Sequence, residues 1–183
     1  MNTIISLSGG AGSGKSFLGK MLAAKLVVPF LSIGNHTREI AARMGMDIHQ
    51  FQEYARQNPG VDEHIDQSFQ EHIRQCGACI VDYRLGFHFF PEGFHVLLTV
   101  SEEEAVNRIC TRGDMSDGQS DDQHEVLTRL RIRNKEMRDR LYETYGADFT
   151  DRANYHLQVD TTVASPEFNV NLILGALDSF SKK

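Results

Sequence analysis

Ile4-Ile5-Ser6-Leu7-Ser8-Gly9-Gly10-Ala11-Gly12-Ser13-Gly14-Lys15-Ser16 is the stretch on which the fold turns. Residues 3–8 form an apolar run that stops at glycines and reads as a short buried strand. Residues 16–26 follow with Leu18, Met21, Leu22 and Leu26 at helical spacing. Between them, Gly9 to Ser16 fits GxxxxGKS without a mismatch, and the fit is informative because a strand enters it and a helix leaves it. Glycines let successive backbone N–H groups face one anion, and a helix N-terminus adds its positive end. Gly9, Gly10, Ala11, Gly12, Ser13, Gly14, Lys15 and Ser16 are therefore expected to cradle the phosphates of ATP. Lys15 would bridge the outer phosphates and Ser16 would ligate Mg²⁺. Phe17 departs from the pattern, since a second hydroxyl residue often follows; the missing hydrogen bond costs about 0.5–1.5 kcal/mol.

Working outward, strands alternate with helices. Apolar runs at 27–33, 78–82, 94–100 and 155–160 read as four more strands, with Pro29 limiting the pairing of the first. Helical patterns fall at 37–44, 48–56, 64–75, 101–110, 123–145 and 168–180. Ser101 with Glu104 three residues on suggests a capping box. The alternation implies an α/β fold with a parallel sheet covered on both faces. Residues 113–123 break the pattern. They are polar and carry glycines, so they read as a mobile loop, either a spacer or a closing lid.

The 183 residues suit one domain. A net charge of −6 argues against general nucleic-acid binding, which needs many cations to neutralise phosphates. It leaves room for a small anion in a local positive pocket. Six of the 19 basic residues are lysines, so arginine dominates, and its planar fork suits phosphate. Three cysteines and a strand near the N-terminus lead to the expectation of a reducing, cytoplasmic setting without disulfides. No apolar run approaches the roughly 18 residues that span a bilayer. The oligomeric state stays open, with a monomer favoured.

Asp82 ends the third strand, where sheets of this kind place ligand-binding residues. It reads either as a Mg²⁺ ligand through water or as a turn aspartate, and Arg84 could reach the same crevice. Arg108 and Arg112 share one helical face before the polar loop. They are read as closing on the transferring phosphoryl group or as surface ion pairs. Arg133 and Arg140, seven apart, share a face and carry the same two readings. Cys76-Gly77-Ala78-Cys79 is a lone CxxC with His72 four residues before it; a structural zinc site needs a second pair. The two cysteines are expected to pack at a helix–strand junction. His36 and His88 are candidate neighbours of an acceptor pocket.

With the cradle, the Asp82–Arg84 pair and these arginines in hand, the chain resembles the P-loop nucleoside monophosphate kinases. Within them it is most similar to the short, archaeal-type cytidylate kinases, from Ile4 to about Thr162. The most specific portion is Gly34-Asn35-His36-Thr37-Arg38, then Met44 to Ala55, then Asn58 to Asp66. Asp82-Tyr83-Arg84-Leu85, Arg108 with Arg112, and Arg131-Ile132-Arg133 leading to Tyr145-Gly146 match in order. The resemblance implies a three-layer P-loop fold with a five-stranded sheet, a helical monophosphate-binding insertion over 35–75 and a lid over 111–123. It places Asn35, Arg38, Arg84, Arg133 and Arg140 near the acceptor nucleotide. It implies Lys15, Asp82, Arg84, Arg108 and Arg112 as catalytic, with Ser16 and Asp82 at the metal. The implied activity is ATP-dependent phosphoryl transfer to CMP or dCMP. Departures gather on the acceptor side. Asn35 stands for an aspartate, Thr37 for an aromatic residue, Ser68 for an arginine, Tyr83 for a glycine and Met137 for an acidic residue. Two other readings stay open: a kinase of another small molecule with a hydroxyl acceptor, and a nucleotide-binding regulator without turnover.

Overall fold

The computed structural model describes residues 3–58, 60–112 and 122–182. Its centre is β1 (Ile4–Gly9), which feeds the glycine-rich loop and α1 (Lys15–Leu26). Next come β2 (Phe30–Ser32), α2 (Ile33–Arg43), α3 (Ile48–Gln57) and α4 (Val61–Cys76). β3 (Cys79–Asp82), the one-turn α5 (Gly86–Phe89), β4 (Phe94–Thr99) and α6 (Glu102–Arg112) follow. α7 (Gln123–Tyr145), β5 (Leu157–Asp160) and α8 (Pro166–Phe180) close the chain. The sheet is five-stranded and parallel throughout, in the order β2-β3-β1-β4-β5.

Alternation along the strands explains why both faces are covered. Ile5, Leu7, Ile80, Val96 and Leu98 point to one face and pack on Leu18 and Leu22 of α1 and on Val170, Ile173 and Leu177 of α8. Cys79 and Val81 point the other way and join Phe69 and Ile73 of α4, Leu141 of α7, and Phe149. The three helices between β2 and β3 hold a small core of their own around Ala41, Phe51 and Ile65. Register places Leu7 opposite Asp82, and Gly9 opposite Leu98. Gly9, Ser32, Asp82 and Thr99 therefore share the C-terminal edge of the sheet, where ligands bind in open α/β folds.

Several sequence expectations are corrected at element ends. The second strand is only Phe30–Ser32, because Val27 caps α1 in the left-handed region (φ 55) and Ile33 already starts α2. Pro29 still contributes, accepting from Ile80 N at 2.9 Å. Ser101 Oγ does accept from Glu104 N at 3.2 Å, but the Glu104 carboxylate turns to Arg108, so only half of the capping box forms. α8 begins two residues early, with Ser165 capping Phe168 N and Pro166 in the first turn. α5 was not expected at all. It exists because Gly86 rests against Ser6, where a Cβ would lie 2.3 Å from the Ser6 Cβ. Cys76 and Cys79 pack in the core beneath α4, and burial pushes the Cys79 thiol up to about 12. No helix among the described residues is long and apolar enough to cross a membrane.

One buried polar contact sets a pH dependence. His95 on β4 is 2% exposed, with Nδ1 2.7 Å from Ser6 Oγ. Burial and the neighbouring His156 hold its imidazole down at about 4, against a partial lift from the carbonyls of Phe90 and Pro91. The unfolded chain binds this proton more readily, so stability falls as pH drops below about 6.5 and the loss is complete near 4. Urea unfolding at pH 7 and pH 5 should differ by about 2 kcal/mol on this account. In His95→Gln, itself less stable at pH 7, that difference should shrink markedly.

Candidate functional site

The loop between β1 and α1 owes its shape to three glycines with positive φ, at 142° for Gly9, 78° for Gly12 and 86° for Gly14. Side chains are also excluded by space. A Cβ on Gly9 would sit 2.3 Å from the Leu98 carbonyl oxygen, and one on Gly12 would sit 2.8 Å from the Ala105 Cβ. Gly14 caps α1 without a side-chain hydrogen bond, so the first-turn amides are offered to an incoming anion. Lys15 is curled onto the loop, donating from Nζ to Gly9 O at 2.9 Å and to Gly10 O at 2.7 Å.

Ser16 and Asp82 meet across the sheet edge, with Ser16 Oγ donating to Asp82 Oδ2 at 2.8 Å. The two oxygens converge beside the loop, and hard oxygen ligands of this kind suit Mg²⁺. Arg84, two residues beyond, lies with its guanidinium 5.5 Å from the Phe149 ring centre. Burial disfavours its charge, Asp82 favours it, and Arg133 and Arg140 oppose it. Arg133 and Arg140 thus each lie within electrostatic reach of Arg84. An anion among them would relieve that repulsion. Arg140 also donates from Nη1 to Asp62 on α4 at 3.0 Å, and from Nη2 towards Met137 Sδ at 3.4 Å.

Arg38 and Asn35 are exposed on α2, and Arg38 Nη2 donates to Asn35 Oδ1 at 2.5 Å. Arg108 braces the underside of the loop: Nε pairs with Glu104 at 2.8 Å, and Nη1 reaches Gly12 O at 3.2 Å. Its Nη2 holds Thr161 O at 2.5 Å. The Arg112 side chain and residues 113–121, which make up most of the expected lid, lie outside the described residues. His36 Nε2 is 2.8 Å from Ser68 Oγ within the inserted helices, and burial lowers the His36 imidazole pKa. His88 is exposed, 6.1 Å ring to ring from Tyr145. Among the described residues no three His, Cys, Asp or Glu side chains form a metal cluster.

Sequence reasoning missed four contributors. Asn134 Oδ1 accepts from Ala11 N at 3.3 Å and lines a cleft of 270 Å³ beside the loop. Thr161 Oγ1 lies 3.1 Å from Ser13 O and 3.0 Å from Thr99 O, pinning the loop to β4. Tyr155 Oη lies 2.9 Å from Ser8 Oγ. Asp66 accepts from both Tyr83 and Tyr145. Two of them carried a sequence signal: Asn134 stands next to Arg133 on the expected helix, and Asp66 ends the Asn58–Asp66 stretch, though neither tyrosine partner was indicated.

A parallel 2-3-1-4-5 sheet with GxxxxGKS after its central strand is the P-loop kinase fold. The chain belongs to the cytidylate kinase-like family, whose model matches residues 4–163. It is 30% identical to a cytidylate kinase from Pyrobaculum neutrophilum, covering 88% of this chain and 85% of that one. It is 42% identical to an S-adenosylmethionine-dependent nucleotide dehydratase from Lacinutrix mariniflava over 88% of this chain, and spans only 33% of that protein's length. In structure it superposes on shikimate kinase from Acinetobacter baumannii with a TM-score of 0.66 at 20% identity, over 99% of this chain and 96% of that one.

The loop geometry yields an expectation for Lys15. Lys15→Ala should weaken ATP binding in a calorimetric titration and lower any ATP-dependent turnover by about 10²–10³-fold. A thermal melt should show the fold retained, because glycine backbone geometry and Thr161 still shape the loop.

Proposed function

We propose that this chain transfers the γ-phosphoryl group of ATP to a pyrimidine nucleoside monophosphate, CMP or dCMP in the first instance. The observation that carries this reading is the Ser16–Asp82 pair at the loop, with the Arg84, Arg133 and Arg140 cluster beginning two residues away. Lys15 would exchange the carbonyls of Gly9 and Gly10 for the β- and γ-phosphates. Ser16 and Asp82 would hold Mg²⁺, directly or through water, which supplies charge neutralisation on the phosphate oxygens. An acceptor phosphate oxygen then attacks the γ-phosphorus, the bond to the β-phosphate bridging oxygen breaks, and ADP leaves.

No general base is needed, since a monophosphate oxygen is already largely anionic at neutral pH. This point favours a monophosphate over a hydroxyl acceptor. A hydroxyl would call for a base, and Asp82, the candidate, is engaged by Ser16. A nucleotide acceptor also fits the relative that is named a nucleotide dehydratase and contains a segment like this chain. Positioning and fixed positive charge then carry the catalysis.

Base discrimination should be weak. Met137 meets Arg140 through its sulfur, a poor acceptor, and the Tyr83 hydroxyl is committed to Asp66. A site without paired polar groups for the base separates close analogues by only about 10–100-fold. ADP release should therefore be seen with CMP and dCMP, with UMP within about that range and AMP lower. A strong preference for CMP over UMP would refute the relaxed site. Silence with all four, but turnover of a hydroxyl acceptor, would replace the reading. ATP binding without any turnover would make the chain a nucleotide-binding regulator.

A further inference from the structure

Asp66 on α4 has each carboxylate oxygen taken by a tyrosine from a different element. Tyr83 Oη donates to Oδ1 at 2.8 Å, and Tyr145 Oη donates to Oδ2 at 2.6 Å. Tyr83 stands between Asp82 and Arg84 in the turn after β3. Tyr145 is the last residue of α7, the helix that carries Arg133 and Arg140. One carboxylate therefore joins the inserted helices to both elements that bear the arginine cluster.

The clamp is aimed by packing. The Tyr83 ring is 3% exposed, stacked on Phe89 at 5.7 Å and edge-on to Phe69 at 5.2 Å. Tyr145 meets the same Phe89 edge-on at 5.3 Å. Both hydroxyls are thus held where Asp66 must come to them, and hydrogen bonds to an ionised oxygen are the stronger kind. The neighbouring Asp62–Arg140 pair is half exposed on both sides and adds little by itself. It would also have to share Arg140 with an arriving anion, whereas the tyrosine bonds compete with no phosphate.

We infer that Asp66 is a positioning residue for the acceptor: through Tyr83 and Tyr145 it sets how α4 sits against Arg84 and Arg140. Through Asp82, the residue before Tyr83, the same contact links that placement to Ser16. The inference rests on reading the arginine cluster as the acceptor's site. Asp66 touches no reacting atom; it fixes the spacing of groups that would.

The test uses Tyr83→Phe, Tyr145→Phe and Asp66→Asn in the full chain, with two measurements. In steady-state kinetics with CMP, the acceptor KM should rise about 10-fold or more in each variant, the worth of one hydrogen bond to a charged group. The KM for ATP should stay within about twofold. Amide hydrogen exchange across α4, without ligands, should quicken in all three. Equal rises in both KM values would mark general loosening and overturn the inference. So would an acceptor KM and α4 exchange that match the parent. If the parent turned over no monophosphate, the kinase reading would fall separately and α4 exchange would decide the clamp: faster exchange in both phenylalanine variants upholds it, and unchanged exchange refutes it.

Discussion

The hydrogen bond from Ser16 to Asp82 is the contact on which the rest of the site depends. Ser16 lies in the first turn of α1 and Asp82 at the end of β3, so one 2.8 Å bond spans the edge where β1 releases the chain into the glycine-rich loop. That meeting is possible only because β1 and β3 are parallel neighbours with Leu7 opposite Asp82. Parallel pairing in turn needs crossover connections, here helices on both faces, and these bury the central strands β1, β3 and β4. The burial of Ile5, Leu7, Ile80 and Val81 is therefore what holds the Ser16 and Asp82 oxygens together beside the glycine-rich loop.

The two sides of the site are built by different means. The phosphate side is mostly backbone, held by positive-φ glycines and by Arg108 and Thr161 from below. Backbone geometry of this kind tolerates little change, since a Cβ at Gly9 or Gly12 meets main-chain atoms or Ala105 within 3 Å. The side proposed for the acceptor is mostly side chain: Arg140 with Asp62, Asp66 with two tyrosines, Arg38 with Asn35. Side-chain contacts can be exchanged one at a time. The departures Asn35, Ser68, Tyr83 and Met137 fall on this second side.

What could be read from the sequence follows the range of each signal. β1, the loop and α1 were legible because motif and periodicity lie within adjacent residues, and α7 was placed at 123–145 by its apolar spacing alone. β2 was drawn too long because nothing in Val27 announces a left-handed cap. α5, a single turn of four residues, is too short to show a helical period, and its close seat on Ser6 is a contact across 80 residues. The partners of Asp66 are 17 and 79 residues away, and Thr161 reaches Ser13 across 148. Such pairings are products of the assembled sheet, and no local pattern encodes them. The arginines were recognised as a set, yet their division into a cluster at Arg84, a brace at Arg108 and an exposed residue at Arg38 needed the fold.

The separate small core of the inserted helices has a consequence for how this chain can change over time. Ala41, Phe51 and Ile65 stabilise their three helices locally, in a core that shares no buried residue with the one packed beneath β1 and α1. Substitutions confined to that core are therefore felt first by the inserted helices. Asp66 is the exception, bonded to Tyr83, which is covalently adjacent to Asp82, and to Tyr145 at the end of α7. A lineage altering its acceptor would be freest in that small core and most constrained where Asp66 meets Tyr83 and Tyr145, at which the two histories join.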